Sequence, residues 1–282
     1  MKWKFIEERI SNILMILSTA LVVGLFACII LVIAWTGIPS LTWEMVSSLP
    51  GGGFYLGKSG GILNAIIGSL LIVGLSTLSG LILSIPIVFY LNIYLGKNSK
   101  IAYLARLCCD VLYGIPSIVY GAFAFTIMIF LGLKASLLGG VIVTTLLIIP
   151  IFVRSMDEVA RLVSRDMYDA VYSLGATRLE ACKVVLRQIF SGVATATLLS
   201  IGRAIGDSAG VLFTAGFTDN IPESLGDPVA TLPLSVFFQL SSPIPEVREK
   251  AYAAALLLTL IVLFLSIVGR IITVKSTKNK IR

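Results

Sequence analysis

Arg203 and Asp207 stand four residues apart in a stretch, 191–216, that carries no other charge. On a helix that spacing puts both on one face. An ionisable group inside an apolar span costs about 3 kcal/mol or more unless it meets a partner or an aqueous path. Two chemistries fit. Either the pair neutralises itself and ties helices together, or Arg203 lines a path and offers positive potential to an oxyanion. In the second case Asp207 holds the guanidinium and keeps the well shallow enough for the ion to leave. Asp110 is read as a helix cap, acidic groups favouring helix N-termini, with a pairing to Arg106 as the alternative.

A second constellation is polar. Asp169-Ala-Val-Tyr-Ser-Leu-Gly175-Ala-Thr-Arg178 combines an acidic residue, a small neighbour and a glycine six positions on, between two long apolar segments. Val159, Leu162 and Val163 form one helical apolar face, and Ala170, Leu174, Val184 and Val185 continue it around a break at Gly175. Ser164 suits an N-cap. The pattern predicts two short helices meeting at Gly175, whose missing side chain allows a tight turn or a close backbone contact. Such a knob can enter a groove on a partner. An amphipathic helix lying on lipid headgroups is the competing reading.

Other chemistry finds no support. The chain has no histidine, and Cys28, Cys108, Cys109 and Cys182 lack metal-ligand spacing. No catalytic residue, metal site, cofactor or disulfide framework is expected.

The elements that hold these residues are membrane spans. The chain is 57% hydrophobic and 13% charged, with a mean hydropathy of +0.99; a soluble domain carries about 25% charged residues. Apolar runs of about twenty residues are long enough to cross a hydrocarbon core. Six spans are expected, near 13–34, 62–85, 109–131, 136–154, 191–216 and 250–270. The first is too long for a signal-peptide core and is taken as retained. With the N-terminus inside, 17 of the 22 Lys and Arg fall on inner segments, against 4 on outer ones (Lys58, Lys134, Arg248 and Lys250). The positive-inside rule therefore predicts cytoplasmic termini and a cytoplasmic 155–190 loop. The net charge of +7 is explained the same way, without nucleic acid.

The 169–178 segment resembles the "EAA" loop with which permease subunits of ABC importers dock their ATPases. In that loop Glu-Ala-Ala is followed by three residues, Gly, about nine residues, then an apolar residue and Leu-Pro. Here Asp169, Ala170 and Gly175, then Val184, Val185 and Leu186, hold those places. Aspartate replaces glutamate, Val171 the second alanine and Arg187 the proline, and the second interval is about one residue short. Asp110-Val-Leu-Tyr-Gly-Ile-Pro-Ser-Ile-Val-Tyr-Gly121 and Gly202-Arg-Ala-Ile-Gly-Asp-Ser-Ala-Gly-Val-Leu-Phe-Thr-Ala-Gly216 are similar to two stretches of phosphate-importer permeases. In the second, Asp207, Ser208 and Gly210 replace Glu, Thr and Pro. The resemblance runs from about residue 60 to the end and is greatest to the PstA-like subunit.

That resemblance implies an all-α integral membrane protein of six transmembrane helices with the type I ABC importer (MetI-like) permease fold. Residues 1–60 would be the first span and an outer loop, 61–270 the permease domain, and 271–282 a basic tail. It implies ATPase coupling through Asp169, Ala170, Gly175, Ala176 and Arg178, and a translocation path containing Arg203 and Asp207. The expected partners are an ATP-binding cassette subunit (PstB-like), a second permease subunit (PstC-like), an extracytoplasmic phosphate-binding protein (PstS-like) and the lipid bilayer. The chain would not itself be an enzyme: no phosphate-binding G-x-x-x-x-G-K-[S/T] loop occurs, and Gly51-Gly-Gly53 lacks the lysine that must follow. The alternatives are a permease for molybdate, tungstate or sulfate, and an ion-coupled secondary transporter, which would need Asp207 as its proton site. Internal repetition, frequent in secondary transporters, is not evident.

Overall fold

A computed structural model describes residues 2–51, 59–95 and 99–278 of the 282. Gly52 and Gly53 of the glycine run, and Lys58, Lys97, Lys280 and Arg282 of the charge count, lie outside the described residues. Most of the described residues are helical, as lipid requires: with no water to receive them, backbone N–H and C=O groups must be satisfied within each segment.

The elements are α1 (Lys2–Gly37), α2 (Trp43–Ser47), a two-residue hairpin pair β1 (Pro50–Gly51) and β2 (Ser59–Gly60), α3 (Leu63–Phe89), and a π-helical turn (Tyr90–Tyr94). They continue with α4 (Lys100–Gly114), α5 (Ser117–Phe130), α6 (Leu137–Arg161), α7 (Arg165–Ser173), α8 (Arg178–Ile205), α9 (Leu232–Leu240) and α10 (Pro245–Lys278). Five helices, α1, α3, α6, α8 and α10, are each long and apolar enough to cross a membrane, and α4–α5 form a sixth, bent pair. We call the end of the bundle that carries α7 proximal and the opposite end distal.

α6 is the central helix, with 72% of its apolar window buried inside the protein. It packs α3 on one side and α8 on another through Ile148, Phe152, Val153 and Met156, against Val88, Val185, Ile189 and Ile205. Lipid tails are as apolar as leucine, so this association depends on close packing and not on escape from water. Small residues supply it: the Phe152 ring lies where Gly80 leaves room, and Val159 fills the space over Gly192. α10 closes the bundle with Ala253 and Ala254 near the distal end. α1 stays outside, none of its apolar window being buried, and Gly37 admits the Tyr252 carbonyl at the contact with α10.

Three expectations are corrected. The third span is not one helix over 109–131. It breaks between α4 and α5 with a bend of 99°, because Pro116 drives Ile115 out of helical conformation (ψ 130). Tyr120 O–H donates to the Leu112 carbonyl at 2.9 Å and fixes the corner. The fifth span does not run 191–216: α8 starts at Arg178 and stops at Ile205, with Gly206 as its C-cap. Asp207–Gly216 is turn, not helix, and Gly216 has φ +81. Finally, most of the 155–190 loop is helix continuing from the spans, leaving α7 and two short connections as the loop itself.

The non-helical stretch 207–231 caps the distal end. Ser136 N–H donates to the Thr214 carbonyl (2.9 Å), Leu137 N–H to Asp227 O (2.7 Å), and Val229 N–H to Ala215 O (2.9 Å). Irregular backbone is tolerated at such depth only where protein encloses it, and Ala215, Val229 and Ala230 are fully buried.

Candidate functional site

At the proximal end one short helix, α7, and the start of the long α8, instead of two short helices, meet around Gly175, whose φ of +78 is the left-handed conformation that glycine adopts without strain. Ser164 holds the N-cap position of α7 but its side chain makes no cap bond. α8 begins with a complete capping box: Thr177 Oγ1 accepts from Glu180 N–H (3.4 Å), while Glu180 Oε2 accepts from Thr177 N–H (2.8 Å). That box fixes where α8 starts and therefore where the knob ends.

α7 rests on the bundle through Met167 and Tyr168. Burial pushes the Tyr168 phenol up, with Tyr172 adding to it, so it stays neutral. The other side faces outward. Asp169, Ala170 and Gly175 are exposed, Ala176 is half-buried, and Leu174 is 88% exposed. Arg178 points back, its guanidinium 5.5 Å from the centre of the Tyr94 ring. Beside α7 lies a groove of about 740 Å³ lined by Asp169 and Tyr172 on one wall and by Asn92, Leu95, Arg106 and Arg165 elsewhere. Beyond the bundle the knob thus presents a carboxylate, Asp169, and a large apolar side chain, Leu174.

Toward the distal end, Arg203 and Asp207 do meet, Nη1 to Oδ1 at 3.4 Å. Their setting differs from two positions in one helix: Arg203 is in the last turn of α8, and Asp207 lies beyond the C-cap. Arg203 stands 25 residues after Arg178, about 38 Å along the axis. The Asp207 side chain is 3% exposed and the Arg203 side chain 43%. Asp207 Oδ2 also accepts from Gly210 N–H at 2.9 Å, so the carboxylate organises the turn that follows as well as tethering the half-exposed Arg203. In the same cap, the backbone N–H groups of Ser224 and Glu223 hold the Asp227 carboxyl below the usual carboxylate range.

Asp110 neither caps a helix nor pairs with Arg106. It lies late in α4 and bonds Arg154 Nη1 at 3.1 Å. Arg106 instead joins a cluster that the sequence did not single out. Asp157 Oδ2 receives Arg106 Nε (2.8 Å) and Arg161 Nε (3.0 Å), and Oδ1 receives Arg106 Nη2 (3.0 Å) and Asn92 Nδ2 (2.7 Å). The one local signal was Asp157 and Arg161 at helical i, i+4 spacing. Among the glycines of the second and third spans, Gly68, Gly80 and Gly121 have close neighbours, whereas Gly74 and Gly114 have none within 4 Å.

The family described as "Binding-protein-dependent transport system inner membrane component" matches residues 51–277. The chain is 34% identical over 277 residues to the phosphate transport system permease protein PstA of Pasteurella multocida, covering 96% of this chain and 97% of that one. It is 36% identical over 217 residues to PstA of Yersinia pestis, covering 77% and 73%. Among solved structures, the inward-facing MetNI methionine ABC transporter matches with a TM-score of 0.61 at 14% identity, covering 76% of this chain and 95% of that chain. At that identity the last similarity speaks for the fold.

Proposed function

The chain belongs to the family of binding-protein-dependent transport system inner membrane components, and from that membership we propose that it is the permease subunit of an ATP-driven importer of inorganic phosphate. Multi-pass in the inner membrane, it works with an ATPase subunit, a second permease subunit and an extracytoplasmic phosphate-binding protein. Phosphate is supported by similarity over most of the chain to phosphate permeases in several organisms. The proximal end faces the cytoplasm, a placing supported by the excess of Lys and Arg there.

One observation carries the coupling reading: α7 and the Gly175 turn present exposed Asp169, Ala170 and Leu174 outside the bundle, while both flanks continue directly into the spans α6 and α8. The ATPase grips that knob through Asp169, Ala170, Gly175, Ala176 and Arg178. Arg203, its side chain 43% exposed but tethered by Asp207, faces the path and attracts the oxyanion. Asp207 limits the depth of the well, so the ion is held briefly.

Gly175→Asp tests the coupling surface. Aspartate tolerates the left-handed region at about 1 kcal/mol, so the chain should insert at its normal level. A carboxylate at the knob should nevertheless eliminate copurification of the ATPase. Undiminished copurification would remove α7 as the docking element.

A further inference from the structure

Both attachments of α7 converge on a single short segment, the π-helical turn Tyr90–Tyr94 that ends α3. On the entering side, Arg161, the last residue of α6, bonds Asp157, and Asp157 accepts from Asn92 of the π-turn at 2.7 Å. Arg106 of α4 completes the cluster. On the leaving side, Arg178, the first residue of α8, lies over the Tyr94 ring of the same turn. The far end of α3 is bonded as firmly to the distal cap. Asn64 Nδ2 donates to the Thr218 carbonyl at 2.6 Å, Ser69 Oγ accepts from Leu232 N–H at 2.8 Å, and Gly68 abuts the Ala230 carbonyl.

We propose that α3 is the rod along which movement of the docked α7 reaches the distal cap, and that Asp157 is the positioning residue joining α7 to that rod. This rests on the reading that α7 docks the ATPase. Asp157 is 6% exposed, and a buried carboxylate separated from its donors would be left uncompensated. The cluster therefore moves as a unit, carrying Arg161 and Asn92 together. π-Turns within helices recur at functional sites because they distort the regular ladder; here the distortion turns Asn92 and Tyr94 toward the two flanks of the coupling loop. Arg203 and Asp207 sit where the cap begins, so a pull on α3 changes the surroundings of the ion site without a contact to it. The physical requirement for such coupling is one connected element whose position both ends bias, and α3 is bonded at each end.

The test uses the whole complex in proteoliposomes, with the ATPase, the second permease and the binding protein loaded with inorganic phosphate. Asp157→Asn keeps the shape and removes the charge; Tyr94→Leu removes the ring from Arg178 without leaving a buried charge unpaired. Both variants should copurify the ATPase at the parent level and keep basal ATP hydrolysis. Stimulation of hydrolysis by the loaded binding protein, and phosphate uptake, should fall about tenfold in Asp157→Asn and less in Tyr94→Leu. A cysteine placed at exposed Asn220 should lose its nucleotide-dependent labelling by a membrane-impermeant maleimide. Assembled complexes with parental stimulation and labelling would overturn the proposal. Loss of ATPase copurification in both variants would also overturn it, assigning the cluster to docking; the docking reading itself fails only in the Gly175→Asp experiment.

Discussion

The Arg203 side chain is tethered by Asp207 yet 43% exposed, and that combination favours an ion-handling role over simple neutralisation. At 3.4 Å the contact with Asp207 is loose, while the firmer bond of Asp207 goes to Gly210 N–H at 2.9 Å. Arg203→Ala should therefore leave the fold and the assembly intact. It should lower phosphate uptake about tenfold to hundredfold, the scale of a lost hydrogen bond to a charged group; uptake at the parental rate would make Arg203 structural. Asp207 was legible in sequence as a partner for Arg203, but not as the residue that shapes the turn, since that bond depends on where α8 stops. Asp157 was harder still to read. Its partners Asn92 and Arg106 lie 65 and 51 residues away, and nothing in local spacing reports such a meeting.

Among the elements, apolar length located the spans and missed their interruptions. Pro116 breaks the expected third span, and α4 on the near side of the 99° bend is tied to α6 by Asp110–Arg154 and Arg106–Asp157, contacts that no local spacing reports. Likewise 206–216 leaves the helix because Asp207, Gly210 and Gly216 support a buried turn bonded to α6. The break at Gly175 was legible, because glycine at a helix junction is a local signal; the cap bonds were not, since Ser164 makes none and the Thr177–Glu180 box went unread. The seat of α3 against the cap gives an element-level prediction. A side chain at Gly68 would strike the Ala230 carbonyl, so Gly68→Val should lower the thermal midpoint in detergent by an amount equivalent to about 1–3 kcal/mol. Gly74→Ala, with nothing within 4 Å, should change it little. Equal midpoints for the two would mean that the cap does not rest on α3.

The molecule as a whole has a knob at one end, an arginine and a folded-in cap toward the other, and a helix, α3, tied by side-chain bonds to both regions. Its composition made the membrane setting unavoidable, and charge counting proposed the orientation. The account's central claim is that this bundle passes phosphate only when an ATPase works on α7. The most direct test is accumulation of labelled phosphate by proteoliposomes containing this chain, the second permease and the ATPase. The account predicts accumulation only with ATP on the proximal side and loaded binding protein on the distal side, and none from a proton gradient alone. Accumulation without the ATPase, or with sulfate or molybdate in preference to phosphate, would contradict it.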